Sequence, residues 1–282
     1  MRPPPLLTAT LATPSSTPPP GYTGPLDINN TAVFAVSAAR ALSAAKRGAA
    51  VYTIRRSSDD ATQSFSSDAA TGAVDATAIS AFVGAGNGFC PLWKDQSNSG
   101  ADISASDPTV QFAWSGDAGN GLPALLGVAA GGELDSVVTV TVGQSMTFFS
   151  VSEYGGADIV VSDGTATAEA ADGPGASMDL YDGANDLFAD YGNSLPDEIA
   201  IWDGAIQLSA SDMKRNGVAV TRSEFDQPAS INSISGVVSL FLGIADDTQV
   251  LAEALLFPGV LSDADRTAIR QNIATYYGLV LS

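Results

Sequence analysis

The chain has 282 residues, with 31 acidic against 12 basic side chains, a formal charge of −19, 28 glycines and a 45% hydrophobic share. That length can bury one large all-β core, and 23 acids against Lys94 alone between Ser57 and Met213 make nucleic acid and anionic membrane poor partners. The absence of histidine excludes Ser-His-Asp catalysis and histidine-ligated zinc, and the lone Cys90 excludes an intrachain disulfide or thiolate metal cluster.

Residues 1–25 hold eight of the fifteen prolines, including Pro3, Pro4, Pro5, Pro18, Pro19 and Pro20. Such a stretch lacks backbone donors and favours the stiff polyproline conformation, so it cannot build a core. The expectation is an extended, partner-contacting arm over 1–25, lying along another chain or a neighbouring copy, ahead of one domain over 26–282. Leu6–Ala12 is too short and broken for a signal peptide, and no apolar run reaches membrane-spanning length, so no membrane insertion is expected.

Apolar spacing predicts a first helix over Thr31–Ala45, then a strand at Val51–Arg56 and a polar turn at Ser57–Gln63. Asp75 is placed to cap a short helix, Ala76–Val83, and a strand follows at Phe89–Trp93. Further strands are expected at Thr109–Trp114, Leu122–Val128, Ser136–Val142, Met146–Ser152, Asp158–Ser162, Ser177–Tyr181, Glu198–Trp202, Gly217–Arg222 and Val237–Leu242. The punctuation between them includes Asp163-Gly164, Asp182-Gly183, Asp203-Gly204 and Asn216-Gly217, pairs that tolerate the positive φ of tight hairpin turns. Many short strands at this spacing predict an all-β, two-sheet antiparallel sandwich.

The chain closes with an apolar strand, Val250–Phe257, ended by Pro258-Gly259. A helix capped by Ser262 follows, with Ile269, Ile273 and Tyr276/Tyr277 as its apolar stripe and Arg266 and Arg270 elsewhere on the wheel. Trp202 beside Asp203, and Tyr154 beside Glu153, are candidate sugar contacts, an aromatic to stack on the ring and a carboxylate to bind its hydroxyls. Core or rim packing is the competing reading. The acidic surface is read as solubilising. Calcium is the cation that loop carboxylates could take, but no specific motif supports it, and no cofactor is expected.

Three motifs in order, Ile54–Gln63, Ala81–Phe89 and Trp93–Ser97, resemble the N-terminal portion of the α-L-arabinofuranosidase B type domain. The tail, Glu253–Gly278, is similar to the closing strand and helix of concanavalin A-like, laminin-G-type jelly rolls. The resemblance implies a concanavalin A-like β-sandwich with a few short helices. It identifies Arg55, Arg56, Asp59, Trp93, Asp95, Gln96 and Ser97 as family-type residues, expected to act in turn structure. Lys94 departs from the family's tyrosine, and the vicinal cysteine pair found near the active site of the enzymes has no counterpart here.

Domains of this kind occur both in secreted arabinofuranosidases and in phage tail, fibre and capsid-decorating proteins. With no catalytic residue assignable, the expected function is a non-enzymatic structural or adhesion protein of a phage-like particle. Its partners would be other virion proteins and copies of itself, with host-surface polysaccharide as candidate ligand and the virion as location. The alternatives are an arabinofuranosidase-type glycoside hydrolase and a free lectin-like carbohydrate-binding module.

Overall fold

The computed structural model describes residues 22–117, 121–128, 131–153, 157–171, 176–191, 199–242 and 249–282. The chain enters through a four-residue helix, α1 (Pro25–Ile28), and strand β1 (Phe34–Ser37). Then come β2 (Ala50–Arg56), β3 (Thr62–Ser66), α2 (Ala76–Val83) and β4 (Gly88–Trp93). Short strands β5 (Ile103–Ser104), β6 (Phe112–Ser115) and β7 (Ala124–Leu126) lead into the long β8 (Gly132–Val142) and β9 (Ser145–Glu153). A meander follows, β10 (Ala157–Ser162), β11 (Thr167–Ala171), β12 (Ser177–Tyr181) and β13 (Asp186–Asp190). The last third holds β14 (Ala200–Gln207), β15 (Ala210–Arg215), β16 (Val218–Ala219) and β17 (Glu224–Asp226). It ends with β18 (Ile234–Leu242), β19 (Val250–Phe257) and the closing helix α3 (Asp263–Tyr277).

All the strand pairs are antiparallel. One layer runs β15-β14-β9-β19-β1, the other β17-β13-β12-β11-β10-β18-β8, and β4 to β7 link the two at one side. The fold is an all-β antiparallel sandwich with few helices, as its turn spacing predicts. Burial patterns distinguish the layers. Strands β9, β14 and β19 are buried on both faces, while β8, β11, β12, β13 and β18 alternate buried and accessible positions. The first layer is therefore the middle of the molecule. One of its faces meets the second layer through Phe34, Phe148, Trp202, Met178 and Leu180, and the other is covered by α3 through Phe149, Ile201, Leu255, Ile269 and Ile273. The second layer turns its other face to solvent.

Gly204 shows how closely the layers approach. A Cβ there would lie 2.4 Å from Phe148 Cε1 and 2.8 Å from Met178 Sδ. The Asp203-Gly204 pair is thus mid-strand in β14 and not the hairpin turn its sequence suggests. Asp163-Gly164, Asp182-Gly183 and Asn216-Gly217 do form their turns, with positive φ at Gly164, Gly183, Asn216 and Gly217.

Two further expectations change. Thr31–Ala45 is no helix: Phe34–Ser37 pairs with Glu253–Leu256 of β19 instead. All four residues of β1 are buried, which only a strand between two packed surfaces achieves, so tertiary pairing overrides the alanine spacing. Arg266 and Arg270 lie on the buried side of α3 with Ile273 and Tyr277, because β14 offers them a carboxylate, Asp203. The caps of α2 and α3 are those their sequences predict: Asp75 accepts Ala78 N, Ser262 accepts Asp265 N, and Gly278 closes α3 in the left-handed region.

Candidate active site

The solvent face of the second layer is built by alternation. Ile159, Val161, Ala168, Ala170, Met178, Leu180, Leu187 and Ala189 point into the core, so their neighbours in sequence point out. Register then aligns the outward residues in rows. One row runs Asp135, Ser239, Val160, Glu169, Asp179, Phe188, Asp226. The next runs Glu133, Phe241, Asp158, Ala171, Ser177, Asp190, Glu224, and on the other side lie Val237, Ser162, Thr167, Tyr181, Asp186. No strand of this face contains Lys or Arg.

Asp179 is the centre of this face. It is half-buried, and its Oδ1 has no hydrogen-bond partner among the described residues. Burial pushes its carboxyl up to about 7, helped by the charge of Asp186, a hydrogen bond with Asp186 and the charge of Glu169. Glu169, directly opposite Asp179 on β11, is itself raised by burial. Antiparallel neighbours of this kind hold their Cβ atoms about 4.5–5.5 Å apart.

The β12–β13 turn is fixed by Asp182. Its carboxylate accepts Asn185 N at 2.8 Å, Ala184 N at 3.1 Å and, from the loop before β18, Asn232 N at 2.9 Å and Nδ2 at 2.8 Å. Backbone N–H groups of Asn185 and Asn232 hold it well below the usual carboxylate range. The turn thereby fixes Tyr181 and Asp186 on either side of it. The sequence signal for this site is the alternation in Ser177–Tyr181 and Asp186–Asp190, which puts the carboxylates of both strands on one face. The pairing partner is what the sequence does not supply.

The family-type residues lie elsewhere and hold backbone. Asp95 accepts Ala35 N at 2.9 Å, Ser97 N at 3.0 Å and Ala101 N at 3.1 Å, with the Ser97 and Ser99 hydroxyls besides. Gln96 bridges Leu42 N and Arg40 O, and Trp93 Nε1 donates to Ser37 O. Arg55 pairs with Asp60 and Gln111, and Arg56 with Asp59. Of the candidate sugar contacts, Trp202 is 3% exposed between the layers, and Asp203 is wholly buried against Arg266 and Arg270. Neither can meet a glycan, because the strand that carries them is covered on both faces. Tyr154 and Pro3, Pro4, Pro5, Pro18, Pro19 and Pro20 lie outside the described residues. Among the described residues no group of three or more His, Cys, Asp or Glu is arranged to hold a metal ion.

Residues 27–221 match the sequence model of the family described as α-L-arabinofuranosidase B, catalytic. The chain belongs to this family. The matched segment carries Glu169, Asp179 and Asp186. The same match overturns the reading as a phage structural or adhesion protein, since this is a family of catalytic domains. A similar fold appears in a GH54 α-L-arabinofuranosidase soaked with a cyclic sulfate inhibitor, at TM-score 0.66 and 17% identity over 92% of this chain. An arabinofuranosidase complexed with arabinofuranosyl-α-1,2-xylobiose gives 0.66 and 18% over 92% of the chain. A mutant GH54 α-L-arabinofuranosidase soaked with 4-nitrophenyl α-L-arabinofuranoside gives 0.64 and 17%, again over 92%. At such identities the likeness concerns the fold, and the chain spans 66% of the length of each of these structures. No individual curated protein matches the chain.

Proposed function

We propose that this arabinofuranosidase B family domain is a glycoside hydrolase acting on α-L-arabinofuranosides, with its site on the acidic face of the second layer. The observation that carries the reading is Asp179, a half-buried carboxyl that keeps its proton to about pH 7 beside other carboxylates. Glycosidic cleavage needs one protonated carboxyl to give its proton to the leaving oxygen, and a second carboxylate at the sugar's anomeric carbon. Asp179 is the general acid in this assignment. Glu169, in register across the strand pair, is the second carboxylate. Asp186 tunes the acid: burial is the main cause of the raised Asp179 carboxyl, and the Asp186 charge adds to it.

Release of 4-nitrophenol from 4-nitrophenyl α-L-arabinofuranoside tests the reading. Turnover should fall by at least 100-fold in Asp179→Asn and in Glu169→Gln. Azide should restore glycosyl transfer to a Glu169→Ala variant if Glu169 is the nucleophile. Full turnover in both substituted proteins would remove the assignment.

A further inference from the structure

Tyr181 is an aromatic residue of this face that the hydrolytic scheme does not use. It is 37% exposed, a large accessible surface for a tyrosine at a strand end. Its Cα partner on β13 is Asp186, and it stands two residues from Asp179 on the same face of β12. No described residue hydrogen-bonds its hydroxyl. The backbone beneath it is held by the Asp182 clamp to Asn185 and Asn232, so the ring rises from a fixed hairpin. Phe188, directly across from Asp179, adds a second, half-buried ring to the same surface.

We infer that Tyr181 is the stacking platform for the furanose ring and sets the site's preference for neutral arabinofuranosyl glycans over anionic ones. The inference rests on the proposed hydrolytic reading and names the specificity residue of that site. A furanoside presents a face of C–H bonds that packs on an aromatic ring, while its hydroxyls take polar partners. Tyr181 supplies both, a ring and an unused hydroxyl, next to the carboxyl pair. The preference for neutral sugar follows from charge. Asp186 lies directly across from the platform, Asp179 two residues along its strand and Glu169 opposite Asp179, with no Lys or Arg on any strand of the face, so a uronate would meet like charge there.

Binding measured by calorimetry in an Asp179→Asn background separates this from turnover. With linear arabinotriose as the probe, Tyr181→Ala should weaken binding at least tenfold and Tyr181→Phe by less than threefold. A galacturonic acid trisaccharide should bind more weakly than arabinotriose and gain affinity in high salt. Thermal denaturation of each variant controls for folding. Equal affinity with and without the Tyr181 ring overturns the inference, as does absence of arabinotriose binding at millimolar concentration or a preference for the uronate. If the parent shows no turnover but binding depends on Tyr181, the hydrolase reading fails and the platform stands. If turnover is intact and Tyr181→Ala leaves KM and kcat unchanged, the platform fails alone.

Discussion

Asp203 of β14 and Arg270 of α3 form an ion pair, Nε to Oδ2 2.5 Å, in which the carboxylate is wholly buried and the arginine 8% exposed. Arg266, one turn earlier, reaches the same carboxylate at 2.6 Å and extends to Asp212 on β15. One acid thus pins the closing helix to the middle layer through two guanidinium groups. Removing one partner of a buried pair leaves uncompensated charge and costs about 3–5 kcal/mol. Asp203→Ala should lower the urea midpoint by that equivalent. Asp212→Ala, whose carboxylate is 53% exposed, should have a much smaller effect.

Asp179 links pH to both stability and the proposed turnover. Its folded carboxyl titrates near 7, above the roughly 4 of an unfolded aspartate, so the folded chain binds the proton more tightly. The stability this contributes is complete below about pH 4 and is lost as pH rises to 7. Asparagine cannot ionise. Asp179→Asn should therefore melt close to the parent at pH 4.5 and a few degrees above it at pH 8, by differential scanning fluorimetry.

The same titration would set an alkaline limb for the proposed hydrolysis. Turnover should fall as pH passes 7, when Asp179 loses its proton. Asp186→Asn removes the neighbouring charge that holds the proton, so the limb should move to lower pH with the maximum largely retained. A limb that stays in place would separate Asp186 from the acid.

Asp95 gathers three backbone N–H groups and two hydroxyls from Ala35, Ser97, Ser99 and Ala101. Asp95→Ala strands those donors in a buried site and should cost on the order of 3 kcal/mol, read from chemical denaturation.

Gly204 is a packing glycine, set by its distance to Phe148 rather than by its backbone conformation. Gly204→Ala forces the Phe148 ring or the facing Met178 to shift. The expected loss is about 1–3 kcal/mol, with near-ultraviolet circular dichroism changing as the aromatic core repacks.

Alternation and capping chemistry are local, and the sequence alone carried them. Asp75 and Ser262 start helices and Asp163, Asp182 and Asn216 with their glycines make turns, because each effect acts within a few residues. Those signals were enough to predict a sandwich closed by a strand and helix. What only the tertiary structure decided depends on partners far along the chain. β1 became a strand because β19, more than 200 residues on, supplies its ladder. Asp203 was buried because α3 brings two arginines to it. Asp179 keeps its proton because β11 and the β13 hairpin crowd it with Glu169 and Asp186. A carboxyl's charge state depends on desolvation and neighbouring charge, and both are properties of packing.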